Sequence, residues 1–152
     1  MAVFVINEWL WADSSGENGQ QAQGDALKVI TRLAASDHQI VVVEGSRFDQ
    51  KAWKLCKSTS PMIAQRLASA FVATVRQSSN RCRILKPQDT ADLPETLASA
   101  TNTDDHYLVR ALVSVAGAIL VTTDKNLCEA VRKAGLKCLS REEFMAQIFL
   151  GP

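Results

Sequence analysis

The stretch Gly117-Ala118-Ile119-Leu120-Val121-Thr122-Thr123-Asp124 sets an apolar run between a small-residue turn and a polar end. Helical patterning stands on both sides of it, over residues 104–116 and 126–134. A short apolar strand between two helices is the repeating unit of a parallel α/β sheet, whose strands are covered on both faces. The same alternation continues outward. Residues 136–139 predict a fifth short strand and residues 141–150 a closing helix. Upstream, residues 2–6, 40–43 and 82–85 predict three further strands. Helices are expected over 25–35, over 48–57 and from about 61 to 77, with Pro61 at the first helical position. Residues 7–24 read as a polar, Gly-containing connection, and 87–103 as another with room for one short helix. The expectation is an α/β fold with a central parallel sheet of about five strands and helices on its faces, in one domain spanning 1–152.

The chain has 152 residues, 47% of them hydrophobic and 22% charged, with seven Gly, four Pro and a mean hydropathy of −0.02. These values exclude collagen, low-complexity sequence and extended disorder. The first ten residues lack the basic start of a secretory signal, and no apolar run is long enough to cross a bilayer, so a cytoplasmic protein with no membrane partner is expected. Cys56, Cys82, Cys128 and Cys138 form no C-x-x-C pair and read as reduced core residues. His38 and His106 have no nucleophile at triad spacing, and Gly16 and Gly19 lack the lysine of a phosphate loop.

The acids fall in a pattern. Glu8 follows the first expected strand, Glu44 the second and Asp124 the fourth, while Asp104 and Asp105 open the helix after the third. Ligands of open parallel sheets bind at the carboxyl ends of the strands, so these acids are expected on one rim, with Asp49 one helical turn beyond Glu44. Clustered carboxylates without Cys or His partners suit a hard cation, Mg²⁺ or Mn²⁺, and such an ion supports phosphodiester hydrolysis. Each acid also has a structural reading: Asp104, Asp105 and Asp124 stand where helix caps favour negative charge.

Asp104-Asp105-His106-Tyr107-Leu108-Val109-Arg110-Ala111, followed by Val121-Thr122-Thr123-Asp124, resembles the C-terminal signature of PIN domains, closely over residues 104–144 and more loosely elsewhere. The resemblance implies a three-layer α/β/α sandwich and an Mg²⁺- or Mn²⁺-dependent ribonuclease, in a family that includes the toxins of toxin–antitoxin pairs. It places Asp124, and Asp104 or Asp105, among the metal-binding and catalytic acids. Glu44 or Asp49 stands for a further acid, and Thr122 shapes the site through its hydroxyl. The first strand of the family usually ends in Asp; here Asn7 occupies that place, with Glu8 next to it. An amide oxygen ligates a hard cation without adding charge, so the alternative is a PIN-like module that binds RNA or protein without cutting. An antitoxin-like inhibitor and a homodimer are further expected partners.

Residues 45–88 hold nine basic residues and one acid, a local charge of +8, against −4 for residues 1–44 and −3 for 89–152. The near-neutral total of +1 therefore hides a basic middle beside acidic flanks. Arg47, Lys51, Lys54 and Lys57 recur at helical spacing and are the expected grip on an RNA backbone. Trp53 among them reads first as a core residue. Trp9 and Trp11 fit a ligand-facing wall, core anchors or a partner patch.

Overall fold

The computed structural model describes residues 1–59 and 62–150. Strands β1 (Val3–Ile6), β2 (Gln39–Val43), β3 (Cys82–Leu85), β4 (Ile119–Thr122) and β5 (Lys137–Ser140) form one sheet in the order β3-β2-β1-β4-β5, every neighbouring pair parallel. Eight α-helices accompany them among the described residues: α1 (Trp9–Ser14), α2 (Gln20–Ala35), α3 (Arg47–Lys57), α4 (Met62–Phe71), α5 (Glu95–Ala100), α6 (His106–Ser114), α7 (Lys125–Lys133) and α8 (Arg141–Leu150).

Side-chain alternation along the strands builds two cores, one on each face of the sheet. Phe4, Ile6, Ile40, Val42 and Val121 face the layer of α1, α2, α3, α4 and α8. Val5, Val41, Val43 and Leu120 face α5, α6 and α7. The architecture is the three-layer α/β/α sandwich expected of the strand and helix alternation. The strand order reverses between β1 and β4, and the crevice beyond their carboxyl ends is where such sheets bind ligands.

Four local differences from the sequence expectation have physical causes. The polar connection over 7–24 contains α1, because Trp9, Leu10 and Trp11 all bury in the first core. Helix α2 starts five residues earlier than periodicity indicates, after Gly19 at φ 97°, since Gln20 and Gln21 form helix without joining the core. Residues 103–105 form a single 3₁₀ turn ahead of α6. The expected Pro61 start lies outside the described residues, and α4 continues into a π turn over Val72–Arg76.

The expectation of four reduced cysteines is also corrected. Cys128 on α7 and Cys138 on β5 form a disulfide, whereas Cys56 and Cys82 are free. Helix α7 packs on the strand that follows it, which brings the two Cα atoms to 5.6 Å. Spacing in the sequence reports no such proximity. Among the described residues, no helix is long and apolar enough to cross a membrane.

Candidate functional site

Beyond Ile6 the chain leaves β1 and turns into α1, with Glu8 as the cap residue. Glu8 is thus in a turn rather than on a strand, and it faces the crevice together with its neighbour instead of opposite to it. Asn7 stays aligned with β4: its N–H donates to Val121 O (3.0 Å) and its Nδ2 donates to Thr122 Oγ1 (3.0 Å). Asn7 Oδ1 accepts from the Glu8 N–H at 2.7 Å. Both polar atoms of the amide are therefore engaged in shaping the turn.

Glu8 is the centre of an ionic cluster. Tyr107 OH donates to its Oε2 (3.1 Å), while Lys51 Nζ lies 2.7 Å and Arg47 Nε 3.6 Å from Oε1. Oε1 is buried and lacks the directed geometry of a hydrogen bond, so its contact with Lys51 is an ion pair only. Arg47 also reaches Asp104 Oδ2 at 3.0 Å. Burial, and then the Glu8 carboxylate, push the Tyr107 phenol up, which keeps it a donor.

The structure separates the adjacent acids at the start of α6. The Asp104 side chain is 69% exposed and paired with Arg47, whereas Asp105 is half-buried and lines the cleft with Asn7, Glu8 and Lys51. Burial first, and then the charges of Asp124, Glu8 and Asp104, push the Asp105 carboxyl up against the opposing pull of Arg47. Asp124 caps α7, its Oδ1 accepting from the N–H groups of Asn126 (3.0 Å) and Leu127 (3.2 Å). It lines an adjoining groove of about 470 Å³ with Thr122 and Thr123. Thr122 Oγ1 accepts from both Asn7 Nδ2 and the Asp124 N–H, so it joins the two strand ends.

Glu44 and Asp49 lie differently. Glu44 is exposed at the end of β2. Asp49 is buried, held by Arg76 through Nε (2.8 Å) and Nη2 (3.1 Å) and by the Gly45 N–H (3.0 Å). Gly45 adopts φ 73°, which lets the chain turn sharply enough for that amide to reach Asp49. Among the described residues no three of His, Cys, Asp or Glu gather closely enough to cage a metal ion.

Of the basic residues on α3, Arg47 and Lys51 reach the acids. Lys51 and Lys54 line a further groove of about 250 Å³ beside α1, and Lys57 is exposed on the last turn. Trp9 and Trp11 are core anchors, donating through Nε1 to Val121 O and Phe48 O, both at 3.1 Å. Trp53 packs at the core edge under Arg76.

The cleft, about 790 Å³, has a second half that strand-end reasoning missed, lined by Asp13, Asn18, Gln21, Asp25 and Arg141. Asp13 is 2% exposed and binds Arg141 Nε at 2.7 Å and Asn18 Nδ2 at 2.7 Å. Arg141 also lies over the Trp9 ring, 5.6 Å from its centroid. The available sequence signal was Arg141 at the junction of the last strand and helix, the same topological position as the other strand-end residues. No protein-family model and no curated protein matches the chain.

Proposed function

We propose that this protein is a divalent-cation-dependent nuclease acting on RNA, a PIN-like enzyme whose site is the crevice between β1 and β4. The observation that carries the reading is the place of Asp105, half-buried in the cleft with Asn7 and Glu8 at the switch point of the sheet, its carboxyl pushed up by burial first and then by Asp124, Glu8 and Asp104. A half-buried carboxyl beside other acids in a cleft is a place where a cation can stand in for a proton.

The donor chemistry, oxygen atoms only, is that of a hard cation such as Mg²⁺ or Mn²⁺, but among the described residues the acids stand too far apart to cage one, and Glu8 Oε1 is engaged by Lys51. Asp105, Glu8 and Asp124 are the acids that would have to draw together to hold the ion, which would supply activation of water and charge neutralisation on the phosphate. Asn7 and Thr122 fix the two strand ends on which these acids stand. Arg47 and Lys51 are half-exposed and sit on carboxylates, so they are placed to exchange them for phosphate oxygens when a strand enters. Lys54 and Lys57 extend that contact along α3.

Asp124→Asn tests the reading, since Asn caps a helix as well as Asp and the fold is retained. Mn²⁺-stimulated cleavage of single-stranded RNA is expected to fall about 100-fold or more, with an unchanged unfolding midpoint. Unchanged cleavage refutes the assignment. A second reading, an RNA- or protein-binding module without turnover, is favoured by the complete engagement of the Asn7 amide in hydrogen bonds. It predicts no Mn²⁺ binding by calorimetry in either protein.

A further inference from the structure

We propose that the Cys128–Cys138 disulfide is a thiol–disulfide exchange site whose reagent is a dithiol reductant, and that its redox state sets the order of the turn carrying Asp124. Neither a metal nor cleavage of RNA is needed for it. Cys128 lies in the first turn of α7, where its N–H donates to Asp124 O at 3.1 Å. That bond opens the backbone ladder of the helix, and the Asp124 side chain caps the same turn. Cys138 stands on the edge strand β5, in register with Leu120 of β4. The disulfide therefore pins the first turn of α7, and Asp124 with it, to the rim of the sheet.

The two cysteines are separated by only 10 positions in the chain, so the constraint is local. Farther along α7 there is a second tie that does not depend on sulfur: Arg132 donates to Cys138 O through Nε (3.2 Å) and Nη2 (2.7 Å). Opening the disulfide thus frees the first turn of the helix while its last turn stays on β5. Cys128 is 7% exposed and lines the groove of about 470 Å³ that Thr122 and Asp124 share, whereas Cys138 is not part of that wall. A thiolate arriving by the groove meets Cys128 Sγ. A bond forms between the two sulfurs as the Cys128–Cys138 bond breaks, and Cys138 leaves as a thiolate that takes up a proton. The second thiol of the reagent then displaces Cys128 from the mixed disulfide, and Cys128 takes up the second proton. The reagent ends as its own disulfide, and the electron pair it gives up reduces the two cysteines. A dithiol carries that second thiol into the groove with it, whereas a monothiol has to be followed by another.

The folded protein is treated with dithiothreitol at pH 7, alkylated, and mapped by peptide mass spectrometry, with amide hydrogen exchange measured before and after. Cys128 and Cys138 should be unlabelled at the start and labelled together after reduction, with the circular dichroism of the fold retained. Exchange at Asn126, Leu127 and Cys128 should rise about tenfold or more beyond any rise at Val5 and Val42 in the central strands. A Cys128→Ala, Cys138→Ala double variant should show the faster exchange at those amides without dithiol and no further change with it. Labelling of both cysteines before any dithiol is added overturns the proposal, as does labelling that needs denaturant. A rise by the same factor at all amides also overturns it, since the bond is then a brace of the whole fold and not a control on one turn. None of these outcomes bears on Mn²⁺-dependent cleavage, so the nuclease reading stands or falls separately.

Discussion

Asp49→Asn is expected to weaken the fold far more than it affects the crevice. Asp49 is 3% exposed and accepts hydrogen bonds from Arg76 Nε and Nη2 and from the Gly45 N–H, with Trp53 as a further partner. Its own N–H donates to Ser46 Oγ, so the residue also completes the first turn of α3. Burial pushes its carboxyl up, but the Arg76 pair and the Gly45 amide outweigh burial and hold it below the usual carboxylate range. An amide in its place leaves the Arg76 guanidinium, a side chain only 10% exposed, without a counter-charge. Removing one partner of a buried pair costs about 3–5 kcal/mol. For a chain of 152 residues, an unfolding entropy of about 2.1 cal/mol/K per residue converts that cost into a midpoint lower by roughly 9–16 °C. Thermal unfolding followed by circular dichroism at pH 7 measures it. Because the native carboxyl is depressed, the contribution is complete above the unfolded value of about 3.9 and is lost as pH falls through the native one. The gap between wild type and variant should therefore narrow in acid. Adding Arg76→Met should restore most of the loss, since an apolar side chain fills the site without a charge. A midpoint for Asp49→Asn within about 3 °C of wild type would refute the argument and return Asp49 to the acidic rim.

Asp105→Asn should act in the opposite sense. Its native carboxyl is raised, so between the unfolded value and the native one the folded state binds more protons, and stability falls as pH rises through that window. Removing the charge raises the midpoint at pH 7 while abolishing Mn²⁺-dependent cleavage; a lowered midpoint would show that the cluster is not strained. The Cys128–Cys138 disulfide predicts two thiols titrating in the unfolded, unreduced protein and four after reduction. A closed loop of about ten residues contributes about 2.7 kcal/mol on the chain-entropy estimate, so reduction should lower the midpoint by roughly 5–11 °C. Four thiols before reduction would refute the pairing.

The sheet was legible because its signal is local. The runs in β1, β2 and β4 are almost wholly apolar and buried, the mark of a central parallel strand, while the edge strands β3 and β5 are half polar, and each of the five expected strands agrees with the structure to within about two residues. Helix α1 was hidden for the converse reason. It is only six residues long, too short for helical periodicity, and its two tryptophans are explained by hydrogen bonds to Val121 and Phe48, which lie far away in the chain. The adjacent pair Asp104 and Asp105 could not be separated by spacing either. A 3₁₀ turn ahead of α6 rotates one residue into the cleft and leaves the other to Arg47, and nothing in the motif encodes that turn. The disulfide and the Asp13 to Arg141 pair, 128 residues apart, are likewise products of tertiary packing.

Charge summed along the chain gives the right classes of residue but not their partners. Arg76 belongs by position to the basic middle, yet it is consumed by the single acid of that segment, inside the core. Arg141 comes from a segment that is net acidic, yet it is a cation of the cleft, held by Asp13 with Asp25 and Glu142 at 3.6 and 3.7 Å. The segment totals therefore overstate the positive charge near the crevice on one side of the chain and miss it on the other. The cations at this end of the crevice are Arg47 and Lys51, half-exposed and already balanced by Glu8 and Asp104. The Arg47–Asp104 pair is exposed on both sides, so it is weak and screened by salt, whereas the Glu8 side chain is only 16% exposed. On the nuclease reading, a phosphate backbone would compete for the same cations, and exchange of carboxylate for phosphate would release Asp104 and Glu8. On that reading the affinity of the crevice for cations should rise in the presence of single-stranded RNA, and equal Mn²⁺ affinity with and without RNA would refute the exchange.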